Sequence, residues 1–280
     1  MRTLLLLLFC AAAAPADPVD FTPSEKEGDR SSTTEEEYID GKIHYKSVRG
    51  RSKVDFGKRK QEFLSIKRWT YEQKIVPLDP THLAAERAFS VATKEELEED
   101  GKGHKKTQFP HHQRTCKVGR GAVVNYAVID GEKPEEELQE QGWIDVAPCL
   151  LPKEPIAEGK EYDIDAKTLI KAWSKGAFDE KNSSGSGKGK FREVVTVGKT
   201  KCAKLWVNVT MKGEGKDLPG IETSLQGWVL FAIEEKKVVK LELTGPITLK
   251  MRVKDTPDVG DVDLTIDGTL KETMTVDLAK

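Results

Sequence analysis

Residues 203–211 read AKLWVNVTM and residues 225–233 read LQGWVLFAI. In the first stretch Ala203, Leu205, Val207, Val209 and Met211 alternate with Lys204, Trp206, Asn208 and Thr210. In the second, Leu225, Gly227, Val229, Phe231 and Ile233 repeat the pattern. Successive side chains of a strand point to opposite faces, so a period of two predicts ribbons with one dry face and one mixed face. Working outward, Glu234–Lys237 makes a charged turn, and Val239, Leu241 and Leu243 resume the alternation. Ile247, Leu249, Met251 and Val253 follow, then Val262, Leu264 and Ile266 before Asp267-Gly268, then Met274, Val276 and Leu278. Pro246 interrupts the run, which predicts a bulge or an edge position because proline has no N–H to give to a ladder. Long strands joined by short turns make an antiparallel meander, and their apolar faces must cover something.

The first half carries the same signature less cleanly. Ile43 and Tyr45 share a face beside Asp40-Gly41, and Trp69, Tyr71, Gln73 and Ile75 recur at period two. Leu83–Thr93 begins with helix formers and ends with strand formers, and we read its end as strand. Ala122–Ile129 reads as a strand closed by Asp130-Gly131, and Pro134–Gln141 as a short Glu-rich helix. Pro148, Pro152 and Pro155 bracket Leu150-Leu151, where missing donors and fixed φ mark a seam between two halves. After it, Gly159–Ile164 reads as a strand. Asp165 can cap a helix over Ala166–Trp173, because Leu169, Ile170 and Trp173 recur at helical spacing. Residues 182–189, NSSGSGKG, read as a flexible loop. The fold expected is therefore mainly β (α+β): two antiparallel meander halves, residues 35–150 and 151–280, with one or two short helices, the second near 166–174. By shape alone a curved sheet of this kind is similar to the open half-barrels of periplasmic lipoprotein carriers.

At the N-terminus Arg2, the apolar run Leu4–Ala14 and the small triplet Ala14-Pro15-Ala16 read as a signal peptide over residues 1–16, cleaved after Ala16. The run is far short of the roughly 20 residues a membrane-spanning helix needs, so no transmembrane segment is expected in the mature chain. Residues 17–34 are polar and acidic and read as a flexible lead-in. The expected location is periplasmic or extracellular. Lys plus Arg (45) and Asp plus Glu (47) nearly cancel in the 280 residues, so the surface lacks the basic footprint that nucleic acid demands.

Candidate sites are few. Cys116, Cys149 and Cys202 remain after processing, and an exported chain can oxidise them. Two pictures stay open: a Cys116–Cys149 bridge contributing about 3 to 4 kcal/mol by loop closure, or three buried thiols. The stretch Gly101–Arg120 holds His104, His111, His112 and Cys116, borderline-soft ligands for zinc or copper, although adjacent histidines on a strand face opposite ways. A solvated basic loop, or a patch for anionic polysaccharide or lipid headgroups, explains the same residues. Asp163 with Asp165 and Asp261 with Asp263 lack the EF-hand loop pattern. No cofactor or nucleophile-elbow motif is present; Ser183, Ser184 and Ser186 stand in the glycine-rich stretch. Asn182 and Asn208 each begin an Asn-x-Ser/Thr sequon. Trp206, Trp228 and Leu230 fall on the phase opposite the most aliphatic faces, a candidate ligand-binding wall.

The stretch Val123–Gly131 (VVNYAVIDG), Cys149–Ile156 (CLLPKEPI), Glu158-Gly159-Lys160 and the long strands after them resemble uncharacterised exported proteins of planctomycete-type bacteria. In these, a strand ending in "DG" precedes an "LLP" seam and a strand with a tryptophan. Here Tyr162 stands at the tryptophan's place and Glu161 at that of a small polar residue. The likeness spans roughly residues 115–280, carries no established activity, and implies export and β-architecture. Three functions follow as expectations: a non-catalytic binding protein holding an apolar, lipid-like or amphipathic ligand or a protein partner on a curved sheet; a structural envelope-associated protein; or, third, a hydrolase built on His111, His112 and carboxylates.

Overall fold

The computed structural model describes residues 17–47, 62–78, 82–98, 103–109, 111–119, 126–128, 146–173, 178, 180–215, 219–256 and 260–278. The signal segment, the helix expected over Pro134–Gln141 and most of the strand expected over Ala122–Ile129 lie outside them. Period-two sequence becomes strand almost everywhere else. The described strands are β1 (Arg30–Ser47), β2 (Glu62–Pro77), β3 (Leu83–Leu97), β4 (His104–Gln108), β5 (Thr115–Gly119), β6 (Tyr126–Val128), β7 (Glu161–Ile164), β8 (Ser184–Val197), β9 (Thr200–Gly213), β10 (Gly220–Ala232), β11 (Lys237–Thr256) and β12 (Gly260–Leu278). One α-helix, α1, spans Ala166–Trp173, as the helical spacing predicts.

The strands form one open antiparallel sheet in the order β6-β5-β3-β2-β1-β12-β11-β10-β9-β8-β7, with β4 also on β3. Each half is a meander, but the halves are not separate bodies. The first and last strands of the chain pair along nearly their whole length, from Ser31 opposite Leu278 to Ser47 opposite Val262. Seventeen-residue pairing of this kind satisfies two strand edges at once, which is why the expected two halves become a single sheet.

The sheet bends along a line of inward-facing glycines. A side chain on Gly227 would strike the carbonyl of Glu242, one on Gly245 that of Ser224, and one on Gly268 that of Asp40. Neighbouring strands approach closely only where the inner position is bare, and this curls the sheet toward a half-barrel. Pro246 sits inside β11, between β10 and β12, so it is neither at an edge nor in a bulge. Its missing N–H falls where the β10 ladder is interrupted, and its carbonyl accepts the Thr223 hydroxyl at 2.8 Å.

Two other expectations fail. Residues 182–189 are not a loop: from Ser184 they form β8. Gly185, Gly187 and Gly189 pair with Met211, Val209 and Val207, and the bare positions admit Ala166 and Ile170 of α1 and Ile164 and Tyr162 of β7. Composition alone reads as linker what packing uses as a smooth seat. The polar lead-in is likewise anchored. Phe21 is fully buried against Phe191 and Phe231, with ring centroids 5.5 and 5.3 Å away. Val19 bridges Ile156, Lys236 pairs with Asp20 at 2.6 Å, and β1 already begins at Arg30. One buried phenylalanine, contributing about 2 kcal/mol or more, outweighs the polar average.

The seam at Pro148–Pro155 is a 3-10 turn, Ala147–Leu150, with Leu150 and Leu151 buried in the main core. That core joins α1 and this turn to the inner faces of β8–β12. A smaller aromatic cluster lies on the inner faces of β2 and β3, around Tyr71 and Phe89. Among the described residues no helix is long and apolar enough to cross a membrane.

Candidate functional site

The inner face changes character from one end of the sheet to the other. Under α1 it is apolar: Val209 of β9, Met211 of β9, Leu225 of β10 and Leu243 of β11 face Leu169 and Trp173 of the helix. Asp165 starts α1 by accepting the Thr168 N–H at 3.2 Å and its hydroxyl at 2.9 Å, while Lys153 approaches at 3.0 Å. These partners hold the Asp165 carboxyl down at about 2. A narrow crevice remains between helix and sheet, with room for about one water-sized group.

The crevice ends at a carboxylate. Glu272 of β12 lines it beside Val146, and in register it stands opposite Leu243 on one side and Glu37 of β1 on the other. Residues directly opposite in an antiparallel pair share a face, so Glu37 and Glu272 both point inward. Glu35, two residues along β1, continues the row, and Lys67 of β2 bonds Glu37 at 2.9 Å. Burial among apolar side chains pushes the half-buried Glu272 carboxyl up to about 8, and the charges of Glu37 and Glu35 push it further the same way. Glu272 is thus a neutral acid at pH 7, able to donate and accept a hydrogen bond at the lip of an apolar slot.

Beyond Glu35 the inner face is aromatic. Tyr71 donates to Glu35 at 2.8 Å, and Arg87 lies over the Tyr71 ring at 4.7 Å. Burial raises the Tyr71 hydroxyl above the ordinary phenol range. Phe89 meets Tyr71 at 5.1 Å and His111 at 4.5 Å, and Phe109 stacks on His111 at 5.6 Å and on Trp69 at 5.9 Å. His111 is 1% exposed, and both its ring nitrogens, with Trp69 Nε1 and His112 Nδ1, have no hydrogen-bond partner. Burial lowers the His111 imidazolium to about 4.

The residues singled out in the sequence scatter. His104 is on β4 and bonds Glu95 at 2.7 Å, whereas His111 and His112 are in the β4–β5 turn and Cys116 is buried on β5. Among the described residues no three His, Cys, Asp or Glu side chains converge to hold a metal. The basic loop expected there is two strands on β3, with only the turn between them irregular. Cys116 packs in the aromatic cluster and Cys149 against the main core, and both remain thiols, as does Cys202, so the expected bridge is not made. Asp163 pairs with Lys188 at 2.5 Å and Asp263 with Arg252 at 2.8 Å.

Trp206 and Trp228 face each other in register, on the outer side of the sheet, and Leu230 shares that side. Lys204 Nζ lies 4.4 Å from the Trp228 ring and Arg192 covers Trp206 at 5.9 Å. They are a cation-capped pair remote from the crevice, not its wall.

No protein-family model matches the chain, and no curated protein matches it.

Glu272 escaped the sequence reading, although its signal is visible. It replaces an apolar residue in the in-phase series Leu270, Met274, Val276, just as Glu35 and Glu37 precede Ile39 and Ile43.

Proposed function

We propose that the chain is exported and serves as a non-catalytic binding protein, holding an amphipathic molecule between α1 and the inner face of the half-barrel. The observation that supports this reading is the neutral carboxyl of Glu272 at the end of a slot walled by Met211, Leu225, Leu243, Leu169 and Trp173. An apolar chain would lie along those side chains. Its polar head would meet Glu272, Glu37 and Lys67, which together offer donors and acceptors. A carboxyl desolvated without compensation is costly, and such groups concentrate where a ligand uses them. Since the slot as it stands accepts only a water-sized group, a ligand enters by displacing the eight-residue α1. Export rests on the charge, apolar run and small-residue order of residues 1–16.

The tightness of the slot favours a second reading, an envelope-associated structural protein that binds nothing there. Native mass spectrometry of the chain purified after export from a bacterial host separates the two. A bound mass released by organic solvent supports the binding reading; a bare protein mass with an empty solvent extract overturns it and leaves the structural one.

A further inference from the structure

We propose that α1 is a lid whose seating requires an uncharged side chain at residue 272, so that alkaline pH loosens the helix and opens the crevice. The proposal concerns regulation of the site described above and rests on that reading for its use, but it is testable without any ligand.

Its basis is the geometry around one carboxyl. On the helix side Glu272 meets Leu169 and Trp173, and beside them Val146; on the sheet side it meets Val209, Met211, Leu225 and Leu243. None of these can solvate a carboxylate. The charges that face it are on β1 and β2: Glu37 directly opposite, Glu35 next on the same face, and Lys67, which is bonded to Glu37. Lys167 and Lys171 of α1 are exposed on the side of the helix away from the buried Leu169 and Ile170, and do not line the crevice. Glu272 therefore ionises into an apolar slot with like charges beside it, and water can reach the new carboxylate only if the helix moves. The helix is suited to moving. It is eight residues long, and it rests on Gly185 and Gly187, which offer no side chains to interlock with it.

Burial keeps the carboxyl protonated up to about pH 8. Above that, a lid that opens with proton loss gains open population by at most about tenfold per pH unit. The experiment is hydrogen exchange of the ligand-free full chain, following amides 166–173 from pH 6 to 10 with intrinsic exchange rates divided out. The expected result is a loss of protection confined to α1 and the 3-10 turn, beginning near pH 8 and absent in Glu272→Gln. Glu37→Gln, which removes the nearest like charge, should move the onset to higher pH, because Glu272 would then ionise onto fewer neighbouring negative charges only if Lys67 stayed with Glu37; with Lys67 released toward Glu272 the onset moves to lower pH. The direction is therefore read in the double variant Glu37→Gln/Lys67→Gln, where loss of repulsion alone acts and the onset moves to lower pH. Uniform protection of α1 across the range, or the same loss in Glu272→Gln, overturns the proposal. Failure of ligand binding with the α1 step intact would instead count against the binding reading alone.

Discussion

The ring of Tyr162 occupies the space that a side chain on Gly189 would need. The two residues are opposite each other in the β7–β8 pair, and the Tyr162 hydroxyl reaches on to donate to the Leu150 carbonyl at 2.8 Å. A bare strand position thus lets one tyrosine tie the short edge strand to the 3-10 turn. Gly189→Ala should cost about 1 to 3 kcal/mol through overpacking. Tyr162→Phe keeps the ring and should cost about 1 kcal/mol through the lost bond. Urea unfolding of both variants checks the order.

Glu272 makes stability depend on pH in a defined direction. Its folded-state value lies above the ordinary carboxyl range, so its contribution is complete below about pH 4.5 and is lost as pH rises toward 8. By pH 7 the loss is on the order of 3 kcal/mol. Glu272→Gln should therefore gain on the native chain as pH increases from 5 to 8. The check is the difference in urea midpoints at the two pH values; a constant difference would contradict the assignment.

His111 acts at the other end of the scale. Its imidazole is held neutral down to about pH 4, so the stability it confers is complete above about 6.5 and declines as pH falls through that window. His111→Phe preserves the contacts with Phe89 and Phe109 and removes two nitrogens that have no partner. Unfolding experiments at pH 7 and pH 4.5 should show the variant less acid-sensitive, and more stable at pH 7 by about 1 to 3 kcal/mol.

Cys116 and Cys149 belong to different clusters and keep their thiols. Thiol titration in denaturant of the chain beginning at Asp17 should count three groups. A count of one would mean that a bridge forms after all.

The C-terminal meander was legible because its alternation is long and unbroken: the phase of Leu205, Val207 and Val209 names the buried face directly. What the sequence hid depends on contacts distant along the chain. Nothing near Arg30 announces that β1 pairs with β12, since strand pairing is set by complementary faces rather than by local propensity. The serine-glycine stretch resembled a linker because glycine is read by its freedom, whereas Gly185, Gly187 and Gly189 are used for their lack of bulk. The tryptophans on the mixed phase suggested a binding wall, yet the sequence could not say which side of the sheet α1 would cover. Once the helix is placed, Glu272 is the out-of-character residue, and Trp206 and Trp228 are on the far side.

The binding reading is tested most directly by calorimetric titration of the delipidated chain with lysophosphatidylcholine below its micelle concentration, beside a Leu225→Trp variant whose indole fills the slot. A saturable heat near one molecule per chain, lost in the variant, is the expected result. No heat in the native chain, or equal heats in both, would contradict the account.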